Sequence, residues 1–272
     1  MGGSRVSSRA LFDDGNLRGA LQAAVEEVKA APDDPSHRTF FFELLAFSGD
    51  LERADRQLDV VAHQDAKAEP AVQVYRNILY AEGRRRKVLA GEAQPEFLRD
   101  EPAYARLHLD ALHQLREGNG AAALARLEES AALRPAVGGT VNGEVFRGLR
   151  DCDDVIAPFV ELILVRDYAW LPFENIRELE IAPPERPRDL LWVPVRLVLD
   201  DDSQHRAYMP VLYAGSHEHT DDRVRLGRFT DWQELSGGPV RGRGQRMWLA
   251  GDDGYPLLEV RTVTLQRLQA EN

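Results

Sequence analysis

One cysteine in 272 residues, Cys152, leaves the chain unable to form an internal disulfide or a thiolate metal cage of its own, a usage that suits a reducing cytoplasm. Basic residues are short as well. The 34 Lys and Arg stand against 45 Asp and Glu, giving a formal net charge of −11 and a pI near 5.2. A protein that lives on a polyanion presents a basic surplus, so nucleic acid is excluded as an expected partner. Unbroken apolar runs are also missing, none approaching the roughly 20 residues that cross a bilayer. Met1 to Val6 lacks the apolar core of a signal peptide, and Val6 stands where a myristoylation signal places Ser or Thr. The expectation is a cytoplasmic chain with no membrane partner. What is present, 43% hydrophobic and 29% charged residues, supplies one or two ordinary cores.

The first half reads as helices in repeat. Gly15-Asn16-Leu17-Arg18-Gly19-Ala20 and Gly49-Asp50-Leu51-Glu52-Arg53-Ala54 align at a spacing of 34, Gly83 falls another 34 on, and Gly118 falls 35 after that. A period near 34 is that of tetratricopeptide-type helix pairs. Gly followed by Asn or Asp tolerates the left-handed backbone of an inter-helix turn, and a small residue five positions later lets two helices approach closely. Leu21, Val25 and Val28 form a helical stripe closed at Ala31-Pro32; Phe41, Leu44, Leu45, Leu58 and Val61 supply the next pair. Pro70 opens a further helix with Val74 and Ile78, Glu101-Pro102 opens another, and Ala121 to Leu133 is the last. Stacked pairs create a concave face, on which this register places Thr39, Glu43, Gln73, Asn77 and Tyr80, with Phe40 and Phe47 as aromatic anchors for a bound peptide helix.

The grammar changes between Leu162 and Leu199, where β-branched and aromatic runs broken by Pro and Asp replace the helical period. The small, glycine-rich stretch 136–143 reads as a linker, between a tetratricopeptide-like helical domain over 1–135 and a mainly β domain over 144–272. Val155 to Val165 reads as a buried helix or strand, with the helix favoured by Asp153-Asp154 as a negative N-terminal turn. Strands are expected at Ile176–Ile181, Leu190–Leu199, Arg206–Tyr213, Val224–Phe229, Arg246–Ala250 and Leu257–Leu265, closing into a small, partly open barrel or sandwich. The fold class is therefore α+β.

No catalytic constellation stands out. His217-Glu218-His219 with Asp221 and Asp222 is the one close group of metal-competent side chains, and alternation along a strand would put both histidines on one face. His205 is a further candidate within reach, but a zinc enzyme also needs a third ligand and an activating base, and the group reads equally well as a solvated loop. Gly242-Arg243-Gly244 precedes a strand rather than a helix, so it offers no phosphate a helix N-terminus. Cys152 sits between Asp151 and Asp153, whose charge raises a thiol pKa rather than activating it. The basic run Arg84 to Lys87 reads as a wet helix face.

Several motifs taken together resemble a known family. They are Arg38-Thr39-Phe40-Phe41-Phe42-Glu43-Leu44-Leu45-Ala46-Phe47, Pro95-Glu96-Phe97-Leu98, Tyr168-Ala169-Trp170-Leu171-Pro172-Phe173-Glu174, Arg188-Asp189-Leu190-Leu191-Trp192-Val193-Pro194, Met209-Pro210-Val211-Leu212-Tyr213, Leu226-Gly227-Arg228 and Gly244-Gln245-Arg246. The sequence thereby resembles the ImpE, or TagJ, accessory proteins of bacterial type VI secretion systems across nearly its whole length. The resemblance implies a cytoplasmic, non-enzymatic protein without cofactor or metal. Its implied partner is a helical segment near the N-terminus of the small contractile-sheath subunit, with a possible link to the AAA+ ATPase that recycles the sheath. A metal-dependent hydrolase built on His217 and His219 is the alternative from another class, and a structural subunit whose helices serve self-assembly is a third.

Overall fold

Gly15, Gly49 and Gly118 take positive φ, at 83°, 83° and 78°, and each ends one helix just before the next begins. The pairs so formed are α1 (Ser8–Asp13) with α2 (Leu17–Ala30), α3 (Pro35–Phe47) with α4 (Leu51–Gln64), and α6 (Ala105–Arg116) with α7 (Gly120–Leu133). Asn16 caps α2 by accepting from the Gly19 amide at 2.7 Å, and Asp50 caps α4 by accepting from Arg53 at 3.1 Å. Five residues after each glycine, Ala20, Ala54 and Ala123 are wholly buried, as close helix approach requires. Gly83 departs from this pattern. It lies inside α5 (Glu69–Leu89), a 21-residue helix that runs through the position where the repeat would turn, because the Arg and Lys that follow are strong helix formers and Arg85 is drawn into the protein.

The computed structural model describes residues 6–235 and 237–268. Its second half is built on an open nine-stranded sheet in the order β1-β6-β5-β9-β8-β7-β14-β2-β3. These strands are β1 (Glu96–Phe97), β2 (Val137–Val141), β3 (Glu144–Arg147), β5 (Phe159–Leu164), β6 (Asp167–Pro172), β7 (Ile176–Ile181), β8 (Trp192–Leu199), β9 (Gln204–Pro210) and β14 (Thr262–Arg267). All pairings are antiparallel except β1 with β6. A three-stranded sheet combines β4 (Leu149–Asp151), β12 (Met247–Ala250) and β13 (Asp253–Pro256), while β10 (Thr230–Glu234) and β11 (Val240–Gly244) form a ribbon.

Three local expectations are corrected. The stretch 136–143, read as a linker, is β2 and a tight turn at Asn142-Gly143, both at positive φ. Its glycines serve close approach, since a Cβ on Gly139 would lie 1.8 Å from the Thr264 carbonyl oxygen of the neighbouring strand. Val155 to Val165 is not a helix: after a 3₁₀ turn at Asp154–Ile156, Pro158 stops any further helical run, and Phe159 to Leu164 pair with β6 along their length and, through Ile163, with β9 as the strand β5. Val224 to Phe229 is not a strand, because Asp221 accepts from the Arg223 amide at 2.8 Å and nucleates the short helix α8 (Asp222–Arg225), which Gly227 ends at φ 68°.

The two halves share one core, in which Phe42, Leu44 and Ile78 of the helices join Val160, Leu171 and Met209 of the sheet. The strand β1 comes from within the helical half and edges the sheet beside β6. The interface is also polar at its centre. Arg85 of α5, 3% exposed, donates to both Glu161 carboxylate oxygens at 2.7 and 3.1 Å and to the Leu212 carbonyl at 2.9 Å. Arg246 bridges Glu161 to Asp151, and Tyr168 donates its hydroxyl to Glu161. Burial alone pushes the Glu161 carboxyl up, but the two guanidinium groups hold it far below the ordinary carboxylate range.

Candidate peptide-docking surface

The helix α5 has two chemically opposite faces. Pro70 stands in its first turn, where a missing N–H costs nothing. From there Val72, Ile78, Leu79, Ala81, Glu82, Arg85 and Val88 turn inward and are buried. Gln73, Val74, Asn77 and Tyr80 lie on the outer side; Tyr80 is 52% exposed and Val74 38%.

The seven residues expected to bind a peptide are thereby split. Gln73, Asn77 and Tyr80 line one cleft of about 660 Å³ between α4 and α5, with Asp55, Lys87 and Arg166. Gln73 donates to Asn77 at 3.0 Å, which orders the wall before anything binds. Glu43 is buried and accepts from Arg188 of the β half at 2.8 Å; burial pushes its carboxyl up to about 7 against the pull of that arginine. Phe47 is 1% exposed and packs against Phe12 at 5.6 Å between ring centroids. Phe40 is half-buried, edge-on to Phe12 and beneath Arg9, and the Thr39 hydroxyl donates to the Pro35 carbonyl of its own helix at 2.8 Å. These four belong to packing away from the cleft.

A second groove, of about 850 Å³, opens on the other side of α5. Its walls include Val74, Ile163, Val165, Pro194 and Tyr208, and Asn77 lines both it and the first cleft. Between the two stands the tip of the β5–β6 hairpin. Leu164 pairs with Asp167, leaving Val165 and Arg166 as a two-residue turn. The Arg166 guanidinium lies 4.1 Å above the Tyr80 ring. Sequence reading passed over this tip because Val-Arg carries none of the Gly, Asn or Asp that mark such turns. Two β-rich runs separated by two residues were the signal that could have found it.

The histidines singled out in the sequence are engaged elsewhere. The His217 ring packs against the Gly49 turn so closely that a Cβ there would lie 2.1 Å from it, and burial pulls its pKa down. His219 bonds Asp231 at 3.2 Å and accepts from the Asp221 amide at 3.0 Å. Among the described residues no three His, Cys, Asp or Glu side chains converge as a metal site, and no helix is long and apolar enough to cross a membrane. Burial and then Asp151 push the Cys152 thiol up to about 11, opposite to activation. Of the run Arg84 to Lys87, Arg84 pairs with Glu96 and Asp167, Arg85 enters the buried network, and Arg86 donates to the Gly49 carbonyl at 2.9 Å, so much of it is structural.

Comparison with known proteins places this surface in context. A family model described as ImpE protein matches residues 143–264. The type VI secretion system accessory component TagJ of Pseudomonas aeruginosa is 38% identical over 260 residues, which cover 96% of this chain and 91% of that protein. The chain belongs to the ImpE/TagJ family. The crystal structure of protein VPA1032 from Vibrio parahaemolyticus has the same fold, with a TM-score of 0.88 and 26% identity over 96% of this chain and 97% of its own. The TagJ and VPA1032 matches run through the helical and the β halves, so the two-part architecture is shared.

Proposed function

We propose that this chain is a cytoplasmic accessory protein of a bacterial type VI secretion system that works by binding rather than catalysis. Its partner is a helical segment near the N-terminus of the small sheath subunit, held along the outer face of α5. Occupying that segment would bear on how the recycling AAA+ ATPase handles the sheath. The accessory role draws on the 38% identical TagJ protein. The observation that supports the site is the convergence of Gln73, Asn77 and Tyr80 on one open, partly preordered cleft, while Phe12 and Phe47 of the same helical half pack against each other. A helix-in-groove mode suits such a wall, with Tyr80 as the anchor and Asn77 as the orienting group.

The test is binding of a fluorescein-labelled peptide from the first roughly 20 residues of the small sheath subunit, about 30 Å as a helix, read by anisotropy. Tyr80→Ala is expected to weaken binding about tenfold and Asn77→Ala about threefold, for losses of about 1.4 and 0.7 kcal/mol. Full affinity in both folded variants would sink the assignment of the site.

A further inference from the structure

We infer that the pocket at the C-terminal end of α7 binds a small zwitterion of the α-amino acid class with an apolar side chain, its carboxylate on Arg134 and its ammonium on Glu174. The site shares no lining residue with the clefts beside α5 and does not depend on the sheath partner.

The first observation is a cation without an anion. Arg134 directly follows α7, at the end where the helix dipole favours positive charge. That accounts for its sign but not for its placement, since the residue is half-buried in the wall of a pocket of about 300 Å³. Among the described residues no carboxylate lies within ion-pair distance of its guanidinium. Arg150 lines the same pocket, but its charge is met by Asp154 at 2.5 Å. Burial and then the like charge of Arg150 pull the Arg134 guanidinium below its ordinary value, the direction that a missing counter-ion leaves.

The second observation is an anion without a cation. Glu174, in the 3₁₀ turn Phe173–Asn175, is 8% exposed and accepts from the Tyr104 hydroxyl at 2.5 Å. No Lys or Arg among the described residues comes within ion-pair distance of its carboxylate, which burial pushes up. Glu174 and Arg134 line one pocket and are not paired with each other. An uncompensated charge in low dielectric is costly, and here one of each sign borders the same space.

The third is the rest of the wall. Val137, Leu149, Pro158 and Phe173 are buried and give the pocket an apolar floor, while Ala131 and Gly251 are exposed at its mouth. The volume stands at the lower limit of small-molecule pockets, which suits an amino acid rather than a peptide helix. A guanidinium takes a carboxylate through parallel N–H donors, and a carboxylate takes an ammonium through a charge-assisted hydrogen bond. A zwitterion makes both contacts and brings in no net charge. A simple anion would be repelled by Glu174, and a simple cation by Arg134 and Arg150.

Titration calorimetry on the full-length protein tests the site with L-valine, L-leucine and L-phenylalanine, each beside its amide, which lacks the carboxylate, and its N-acetyl form, which lacks the ammonium. At least one free amino acid is expected to bind, with both of its blocked forms weaker by about tenfold or more. Arg134→Gln is expected to weaken that amino acid by about tenfold. Ala131→Trp fills the exposed mouth while leaving both charged groups in place, and is expected to abolish binding with an unchanged melting temperature. No binding of any of the three to wild type, a blocked form that binds as tightly as its parent, or full affinity in Arg134→Gln or Ala131→Trp would each overturn the inference.

Discussion

The inner and outer faces of α5 show how one helix can serve two opposite demands. Inward, Arg85 is locked between Glu161, Glu82 and a backbone carbonyl, all buried. Outward, Gln73 donates to Asn77, and Tyr80 lies beneath Arg166 of the hairpin tip. A buried ionic group has value only while every partner is present, since losing one leaves an uncompensated charge in low dielectric. Exposed polar groups lose little by comparison, because water replaces their partners. The inner face therefore makes the two halves one folding unit, and the outer face is free to be shaped for recognition.

The sharpest way to break the contrast is Glu161→Ala against Gln73→Ala. The first strands Arg85 and Arg246 and is expected to cost about 3–5 kcal/mol, lowering the melting temperature by roughly 10 °C or more in a single transition. The second is expected to stay within about 0.5 kcal/mol of wild type. Equal effects in thermal unfolding would show that the junction does not join the halves.

A pH series sharpens it next. His108, 1% exposed, bonds the Val155 carbonyl and the Ser130 hydroxyl, each at 2.7 Å, and burial pulls its pKa down from 6.5 to about 4. The unfolded chain then binds the extra proton first, so His108 contributes stability that is complete above pH 6.5 and is lost as pH falls towards 4. The loss approaches about 3 kcal/mol. Glu43 and Asp151, whose carboxyls burial pushes up to about 7 and about 6, act in the opposite sense, with stability falling as pH rises. Urea midpoints at pH 7.5 and 4.5 should therefore be compared between wild type and His108→Gln, and the variant is expected to lose less on acidification.

Two glycines give the smaller effects. Gly139→Ala forces a Cβ against the Thr264 carbonyl and is expected to destabilise by about 1–3 kcal/mol. Gly83→Ala meets nothing within 4 Å on the open side of a helix and is expected to stabilise by about 0.5–1 kcal/mol, read as a higher urea midpoint.

Much of the helical half was legible because its signals are local. The turns at Gly15, Gly49 and Gly118 depend on φ and on the next one or two residues, and the alanines five positions on report their own burial. The strands Ile176–Ile181 and Trp192–Leu199 announce themselves by β-branched, proline-bounded runs. The proposed docking surface was half legible: that Gln73, Asn77 and Tyr80 line one cleft follows from helical spacing, whereas Glu43 and Phe47 have the same spacing and are buried. What separates the two sets is Arg188, 145 residues away in the chain from Glu43, and no periodicity encodes that distance.

By itself, then, the amino-acid order determined the helix pairs, the β-rich second half, the acidic balance and the motifs of a family, because each rests on propensity, pattern or composition within a short window. Only the tertiary structure decided that Val137–Val141 is a strand packed close against Thr264, that Arg85 faces Glu161, and that Val165 stands exposed at positive φ beside Tyr80 and its stacked Arg166. Those outcomes depend on which surfaces meet after the chain has folded back on itself, where burial and unpaired charge, not local preference, set the free energy.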